Sequence, residues 1–498
     1  MALIQITDLT FTYPGSFDPV FEHVSFQLDT DWRLGLTGRN GRGKTTLLRL
    51  LQGQYPHQGT ITAPGGFEYF PYPIPDAALT PLELLECSFP DVPQWRLRRE
   101  LAPLFVTDDA LYRPFSTLSG GEQAKILLAL LFAREGRYLL IDEPTNHLDE
   151  TGRALVSRYL AKKSGFLLVS HDRAFLDGCV DHILSINRSG IEVQKGNFSS
   201  WYENRQRQDA FELAQNAQLK KEIGRLKQAA RQSRAWADKV ENTKIGPHSA
   251  KVTGEADAMG GRAYIGEQSR RMQQRRKNLE RRQNAAIEEK SALLKNIEQA
   301  APLKLHQLPY HTDRLALLRD VSVCYGGAPV CRGVSFCVEQ GDRIALRGAN
   351  GTGKTSLLRL LCGEDVPHTG SVERSSRLRI SYVRQDPSGL RGDLGAYAAR
   401  YGLDESLFKA ILRKLDFARV QFEKDMADFS TGQKKKVLLA RSLCEPSHLL
   451  VWDEPLNYVD VLSRMQIEDL LLEFQPTIVF VEHDRVFCDH VATKAVML

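Results

Sequence analysis

Two copies of a glycine-rich string that ends in lysine and threonine could bind phosphate. GRNGRGKT begins at Gly38 and GANGTGKT begins at Gly348. Each follows a short apolar run and precedes a run with helical periodicity. Glycines let backbone N–H groups approach phosphate oxygens, and the helix N-terminus adds the positive end of its dipole. A plain glycine-rich turn is the alternative, but the repetition in the same context argues against it.

Both strings are therefore predicted to be phosphate-binding P-loops. Their lysines are expected to neutralise the β- and γ-phosphates, and the threonine after each lysine is expected to bind Mg²⁺. The predicted nucleotide-binding residues are Gly38, Asn40, Gly41, Gly43, Lys44, Thr45 and Thr46 in the first copy, and Gly348, Asn350, Gly351, Gly353, Lys354, Thr355 and Ser356 in the second.

Acidic pairs and histidines follow further apolar runs in both copies. An aspartate at the end of a buried strand can hold Mg²⁺, and a glutamate just past it is placed to orient and polarise an attacking water. The histidines are expected to sense the γ-phosphate. A solvated acid and a satisfied core histidine are the alternatives. The aspartates are Asp142 and Asp453, the glutamates Glu143 and Glu454, and the histidines His171 and His483.

The order of these motifs shows that the chain contains an internal duplication. The P-loops are 310 residues apart, LSGGE and FSTGQ 311 apart, and LLVSHD and VFVEHD 312 apart. We therefore expect two domains, at residues 1–202 and 312–498. Apolar runs such as RYLLID and TIVFVEHD end in acids or histidine, which predicts an α/β fold. In it a largely parallel sheet carries functional residues at its strand ends.

Composition limits the class of protein. Of the 498 residues, 42% are hydrophobic and 26% charged, which is typical of a soluble globular protein. No apolar stretch is long enough for a membrane helix, and the N-terminus lacks the features of a secretory signal. We expect a cytoplasmic protein without membrane association. Its eight scattered cysteines are expected to be reduced core thiols.

The segment between the two domains, residues 203–311, has a different character. Residues 203–300 hold 21 Lys and Arg against 13 Asp and Glu, although the whole chain has a net charge of only +5. Two polar, helix-favouring stretches predict a helical hairpin, and the glycines of residues 238–269 predict an irregular tip. A solvated helix face is the alternative to contact with RNA phosphates. The candidate RNA-binding residues are Arg270, Arg271, Arg275, Arg276, Lys277, Arg281 and Arg282.

The LSGGE string, taken with both P-loops, DEPTNHLD and SHD, resembles ABC-type ATPases over both domains. The resemblance implies Mg²⁺-dependent ATP hydrolysis in a monomer whose two domains pair head to tail. Each ATP would lie between the P-loop of one half and the signature of the other, so the first signature would serve the ATP held by Lys354. Two aromatics upstream of the P-loops would stack on adenine, with strand-edge residues as the alternative. A glutamine after SYVR would contact ATP and Mg²⁺. These residues are Ser119, Gly120, Gly121, Ser430 and Gly432 in the signatures, the aromatics Tyr13 and Tyr325, and Gln385.

Two departures from the family pattern predict unequal sites. Tyr72 stands in the first copy where the second has Gln385, and Thr431 replaces a glycine of the second signature. Both belong to the site of Lys44, which we expect to be the more unusual one.

The basic linker distinguishes two classes of tandem ABC protein. A transporter module needs only a short connection, whereas a long helical hairpin resembles the ABC-F family, whose linker reaches from the ribosomal exit site toward the peptidyl-transferase centre. RPFSTLSGGE, SHDRAF, ISYVRQD and WDEPLNYVD look like the Lsa-type resistance branch, as do the missing arm insertion in the first domain and the expected lack of a C-terminal extension.

That resemblance implies a specific set of partners and a function. The first partner is the ribosome, contacted through large-subunit rRNA and tRNA near the exit site. The second partner is ATP. Binding to DNA is not expected. The function would be protection against lincosamides, pleuromutilins and streptogramin A. A housekeeping factor for stalled ribosomes and the ATPase subunit of a transporter are the alternatives.

Overall fold

The computed structural model describes residues 2–15, 19–146, 148–187, 190–244, 274, 281, 305, 307–325 and 328–498. Two compact units divide the chain. Met1–Trp201 and Ala300–Leu498 together form the first, and Tyr202–Gln299 forms the second. The first unit contains two copies of one α/β fold, as the internal duplication predicted.

A mainly parallel sheet forms the centre of each half. The apolar runs that end in acids or histidine are its buried inner strands, which confirms the predicted α/β class. In the first half the order is β5-β6-β7-β3-β8-β9, with only β9 antiparallel, and in the second it is β14-β15-β16-β12-β17. The strands are β3 Arg33–Thr37, β5 Phe67–Phe70, β6 Tyr138–Asp142, β7 Phe166–Val169, β8 His182–Asn187, β9 Gly190–Lys195, β12 Arg343–Arg347, β14 Ile380–Val383, β15 Leu449–Asp453, β16 Ile478–Val481 and β17 Lys494–Met497.

A three-stranded antiparallel sheet accompanies each parallel sheet, which the sequence patterns did not predict. Its orders are β2-β1-β4 and β11-β10-β13. Shifts of register, for example between Ile6 and Leu9, interrupt the alternation of buried and exposed residues along these strands. The strands are β1 Leu3–Phe11, β2 Phe21–Asp29, β4 Gln58–Thr62, β10 Arg314–Tyr325, β11 Ala328–Glu339 and β13 His368–Arg374.

Equivalent helices occur in the two halves and place the P-loops and signatures. The helices that follow the P-loops pack Leu47 and Leu357 into the cores between the sheets. The helices of the first half are α1 Lys44–Leu51, α2 Pro81–Ser88, α3 Gln94–Leu101, α4 Gly120–Ala133, α5 Glu150–Leu160 and α6 Arg173–Cys179. Those of the second are α8 Lys354–Cys362, α9 Leu394–Arg400, α10 Glu405–Lys414, α11 Thr431–Cys444, α12 Val461–Phe474 and α13 Arg485–Val491.

The first arm of the predicted linker is one long helix, α7 Phe198–Lys244. It continues past Asp238, so residues 238–244, predicted to begin the irregular tip, are helical instead. No glycine or proline occurs between Asp238 and Lys244 to stop it. The rest of the tip lies outside the described residues, as does most of the second arm.

The prediction that all cysteines are core thiols was wrong for most of them. Cys179, Cys331 and Cys488 are buried, Cys87 is exposed, and the other four are half-buried. The five exposed or half-buried cysteines all lie within two residues of the end of a helix or strand.

A buried ion pair joins the two halves. Arg173 at the start of α6 pairs with Glu468 in α12, and both side chains are at most 10% exposed. His490 lies 2.6 Å from the other Glu468 oxygen. Another ion pair between the halves, Arg485 with Glu150, is longer at 3.8 Å and largely exposed.

Replacing Glu468 by Ala should therefore destabilise the closed pair of halves. Loss of one partner leaves the Arg173 charge buried, which costs about 3–5 kcal/mol. The exposed pair provides the control, because Glu150→Ala should cost no more than about 1 kcal/mol. Urea unfolding of both variants measures the difference. Equal destabilisation by the two substitutions would contradict the assignment of Glu468 as the stronger contact.

Candidate functional site: two nucleotide sites shared between the halves

The P-loops have the backbone that a close approach to phosphate requires. Gly43 and Gly353 cap the helices α1 and α8 with φ of 92° and 86°, a conformation that favours glycine. A Cβ atom on Gly43 would also lie 2.7 Å from Val20 Cγ1. The glycine pattern therefore reflects both a left-handed turn and close packing under the loop.

The P-loop lysines are buried and bond only to uncharged groups. Lys44 Nζ donates to the carbonyl oxygens of Gly38 and Arg39 at 2.7 and 3.3 Å and to Asn40 Oδ1 at 3.2 Å. Lys354 Nζ donates to the carbonyl oxygens of two loop residues, both at 2.8 Å. Burial lowers the pKa of both lysines. Neither forms an ion pair within the described residues, so an anion such as phosphate would complete their environment.

The predicted magnesium ligands lie together in the first half. Thr45 Oγ1 donates to Asp142 Oδ2 at 3.3 Å, and Tyr69, which the sequence did not single out, donates to the same oxygen at 3.0 Å. In the second half Asp453 is fully buried, and neither of its oxygens has a hydrogen bond of 3.5 Å or less within the described residues. Burial raises the pKa of Asp453 to about 6, although the Thr355 hydroxyl lies close enough to lower this pKa in part. A buried carboxylate of this kind fits a cation, and the Thr355 hydroxyl beside it is another predicted ligand.

Each predicted catalytic glutamate lies beside the predicted histidine of its half. The β6–β7 and β15–β16 pairings hold the strand ends together, because the backbone N–H groups of Glu143 and Glu454 donate to the carbonyls of Val169 and Val481 at 2.9 and 3.0 Å. His171 Nε2 is 3.3 Å from Glu143 Oε1, and His483 Nε2 is 3.2 Å from Glu454 Oε1. Burial, with the Lys44 charge next, lowers the pKa of His171 well below its ordinary value.

The two glutamates differ in their hydrogen-bond donors. Glu454 Oε2 accepts from Gln385 Nε2 at 2.8 Å and from Asn457 Nδ2 at 2.6 Å. Burial favours the neutral carboxyl, but bonds from His483 and Gln385 outweigh it and hold the pKa of Glu454 below its ordinary value. The nearby Lys435 ammonium also favours the ionised form. It donates to the Glu454 carbonyl at 2.9 Å.

Two of these groups, Gln385 and Lys435, have no counterpart beside Glu143 in the first half. Tyr72 takes the place of Gln385, and its ring packs against Phe89 with 5.0 Å between centroids. Ala124 takes the place of Lys435. Burial, and next the charge of Asp142, raise the pKa of Glu143 to about 8. At neutral pH the carboxyl of Glu143 is therefore mostly protonated, whereas that of Glu454 is ionised.

This difference predicts opposite pH behaviour in single-site variants. Glu454→Gln leaves Glu143 as the only base, and a carboxyl with a pKa of about 8 is protonated below that pH and ionised above it. Its ATPase rate should rise about tenfold between pH 7 and 9. The control, Glu143→Gln, hydrolyses through Glu454 and should change little. Rates at saturating ATP check this. Parallel pH profiles in the two variants would show that the glutamates do not differ as their contacts indicate.

The Lys354 site is assembled from both halves. A cavity of about 450 Å³ is lined by Lys354, Gln385, Glu454 and His483 from the second half and by Gly120 from the first signature. Asn146 and Leu148, which the sequence did not single out, also line it from the first half. The remaining lining residues are Val330, Asn350, Gly351, Gly353, Thr355 and Ser356.

The Lys44 site is also bridged by the second half. Asn40 Nδ2 donates to the carbonyl of Tyr458 at 3.0 Å. A Cβ on Gly432 would lie 2.4 Å from that carbonyl oxygen and 3.2 Å from Asn40 Nδ2, so only glycine fits at this point. Asp416 of the second half lies 3.9 and 4.0 Å from Arg39 and Arg42 of the first P-loop.

The signature serines cap their helices. Ser119 Oγ accepts from the Glu122 backbone N–H at 3.3 Å, and Ser430 Oγ accepts likewise from that of Gln433 at 3.3 Å. Gly121 lies in the first turn of α4 and is half-buried. Thr431, in the place of Gly120, begins α11.

The two predicted adenine-stacking residues are tied to the helices after the P-loops. The Tyr13 hydroxyl lies 2.7 Å from Thr46 Oγ1, and that of Tyr325 lies 3.1 Å from Ser356 Oγ. Both rings remain partly exposed, at 37% and 44%. They are therefore held near the P-loops with surface available for a base.

The candidate RNA-binding residues of the linker fall almost entirely outside the described residues. Arg281 is the exception, and it is helical and exposed.

Known proteins resemble this chain along almost its whole length. Residues 21–68 and 331–457 match the family model described as ABC transporter. The chain is 26% identical to the ribosome protection protein VmlR of Bacillus subtilis, over 99% of this chain and 87% of that protein. It is 28% identical to the erythromycin resistance ATP-binding protein MsrA of Staphylococcus epidermidis, over 93% of this chain and 91% of that protein.

A solved structure shares the fold. An archaeal ribosome recycling factor, in complex with a ribosomal stalk protein, superposes with a TM-score of 0.62 at 18% identity, over 98% of this chain and 87% of its own. No helix within the described ranges is long and apolar enough to cross a membrane. The chain thus resembles the ABC transporter family within both halves, and it is similar along almost its whole length to proteins named for ATP binding and ribosome protection.

Proposed function

We propose that this protein is a cytoplasmic ATPase that binds the bacterial ribosome in its ATP-bound form and protects it from drugs of the peptidyl-transferase region. The observation that carries the proposal is the long polar helix α7, inserted between two halves that share their nucleotide sites. A helix of 47 residues extends for about 70 Å. Relatives named for ribosome protection and erythromycin resistance support this choice over the other ABC-type functions.

In this account ATP joins the halves. Lys354 holds the phosphates from the second half, while the N-terminus of α4 offers Gly120 to the same cavity from the first half. ATP therefore contacts both halves, and its hydrolysis removes a contact between them. Asp416 and the Tyr458 carbonyl, already next to the first P-loop, keep the Lys44 site closed as well.

Glu454 is the favoured catalytic base. Its ionised carboxylate can accept a proton from water, and bonds from Gln385 and Asn457 fix its position. His483 is proposed to sense the γ-phosphate from the other side of that carboxylate. Mg²⁺, held by Thr355 and Asp453 with Gln385 as the predicted third ligand, would neutralise phosphate charge when bound. In the first half Thr45 and Asp142 take this role.

The basic second arm is proposed to contact large-subunit rRNA and the exit-site tRNA. Its tip would approach the drug site. Lincosamides, pleuromutilins and streptogramin A are the proposed drug classes, following the resemblance to the Lsa-type branch. Rescue of ribosomes that stall without drug is the second candidate, and it uses the same ribosome-bound state.

Translation in vitro tests the proposal. Purified protein with ATP should restore protein synthesis by bacterial ribosomes that are inhibited by lincomycin. It should also restore synthesis by ribosomes that are inhibited by tiamulin. A variant shortened from Gly254 to Gly261 should still bind ribosomes but lose this rescue. Rescue by neither protein, with ribosome binding intact, would favour the housekeeping role. If the protein does not bind ribosomes, the transporter alternative becomes the better interpretation.

A further inference from the structure

A second large cleft lies in the second half, next to the Lys354 cavity but lined by different residues. Its volume is about 730 Å³, and it opens between the end of β14 and the helices α9 and α11. The side chains that give it its chemical character are Arg384, Arg391, Arg400, Arg441, Tyr397 and Tyr401. Four guanidinium groups and two phenol rings thus line one cleft, and none of these six residues lines the Lys354 cavity.

The arginines are only partly neutralised. Arg384 pairs with Glu364 at 2.8 Å, and Arg441 lies 3.9 Å from Glu445. Arg391 and Arg400 are exposed and have no ion pair in the part of the chain that the structure describes. The other acid of the cleft, Asp386, accepts from the N–H and hydroxyl of Ser388 at 2.8 and 2.7 Å.

Tyr401 combines these charges with an aromatic surface. The Arg441 guanidinium lies 4.8 Å from its ring centroid and that of Arg400 6.0 Å. Tyr397 packs beside it at 4.9 Å, and Tyr401 remains 37% exposed. Guanidinium groups beside an accessible ring match a phosphate and the base attached to it.

The first half provides a comparison within the same fold. Pro71, Ala78, Cys87 and Leu130 hold the positions of the four arginines, counted from the same strand end and helix starts. None of them is basic. The fold itself therefore does not require arginines in this cleft, and packing alone does not explain them.

We propose that this cleft docks an exposed nucleotide of ribosomal RNA. Arg391 and Arg400 contact its phosphate oxygens, and its base stacks against Tyr401. The proposal rests on the ribosome binding inferred above, but it concerns a surface outside both the linker and the ATP sites. The cleft also lies close to the proposed catalytic base, because Arg384 and Asp386 flank Gln385. The Gln385 amide donates a hydrogen bond to Glu454.

Ultraviolet crosslinking tests the docking site directly. The full-length Glu143→Gln/Glu454→Gln protein with ATP is irradiated with ribosomes and, separately, with a ten-nucleotide oligouridylate, and RNA-linked peptides are identified by mass spectrometry. The peptide with Tyr401 should carry a nucleotide in both samples. Adding Arg391→Gln and Arg400→Gln should lower its yield about tenfold and reduce the salt dependence of oligouridylate binding.

The matched control carries Arg332→Gln and Arg377→Gln, two exposed arginines of the same half outside the cleft, and should crosslink like the parent. A Tyr401 peptide without RNA, one linked to a ribosomal protein, or equal yields in both variants would overturn the inference. Ribosome pelleting separates this failure from that of the proposed function. If the parent does not pellet with ribosomes, the oligouridylate sample still decides whether the cleft binds RNA.

Discussion

Replacing both Glu143 and Glu454 by Gln should slow ATP hydrolysis at least about 100-fold while ATP affinity stays near that of the parent protein. Gln keeps the size and hydrogen-bonding ability of the side chain but removes the carboxylate that accepts a proton. The P-loop lysines bond to loop carbonyls and Asn40, not to either glutamate, so the phosphate sites should persist. Turnover measured beside binding of a fluorescent ATP analogue checks both parts.

The control for this variant carries two Glu→Gln substitutions as well, but at positions outside the nucleotide sites. Glu373→Gln and Glu423→Gln alter two exposed acids that are not among the residues lining the Lys354 cavity, and they should leave turnover unchanged. Hydrolysis at the parent rate in the Glu143/Glu454 variant would remove both residues from the chemistry.

Neutralising the basic run of the linker should weaken ribosome binding by about tenfold or more. Each phosphate contact that no longer forms lowers the number of counterions released on binding. The variant replaces Arg275, Arg276, Arg281 and Arg282 by Gln. ATP affinity should be nearly unchanged because these residues lie outside both ATPase domains. Binding to ribosomes over a range of salt concentrations measures the effect, and the slope against salt should fall.

A charge-matched variant tests whether position matters. Arg319, Arg332, Arg374 and Arg377 are exposed arginines of the second ATPase domain, and their replacement by Gln removes the same charge. Ribosome binding should change little. An equal loss in both variants would indicate a general effect of net charge and not a contact made by the linker.

The places of the candidate site residues on the fold could be predicted because their motifs are local, and nucleotide binding by these residues stays a prediction. A P-loop is a turn plus a helix start, and an acid after an apolar run lies at a strand end, so Lys44 and Asp142 could be placed without tertiary structure. Tyr72 and Thr431 predicted that the Lys44 site would be unusual. The different hydrogen-bond partners of Glu143 and Glu454 agree with this prediction. Unequal hydrolysis at the two sites stays a prediction.

Contacts made only by packing could not be predicted. Lys435 stands in a run of three lysines, yet it is buried and donates to the carbonyl of Glu454. Tyr69 reaches Asp142 from the neighbouring strand β5, a contact that no spacing in the sequence specifies. The antiparallel sheets were missed for a related reason, since their bulged strands do not alternate regularly.

Co-sedimentation with ribosomes tests the central claim most directly. The Glu143→Gln/Glu454→Gln protein should retain ATP between its halves, so it should pellet with bacterial ribosomes at low salt when ATP is present and remain in the supernatant with ADP. Added salt should release it progressively. Failure to pellet with ATP at low salt, in a protein shown to bind ATP, would contradict the account and leave the transporter subunit as the better interpretation.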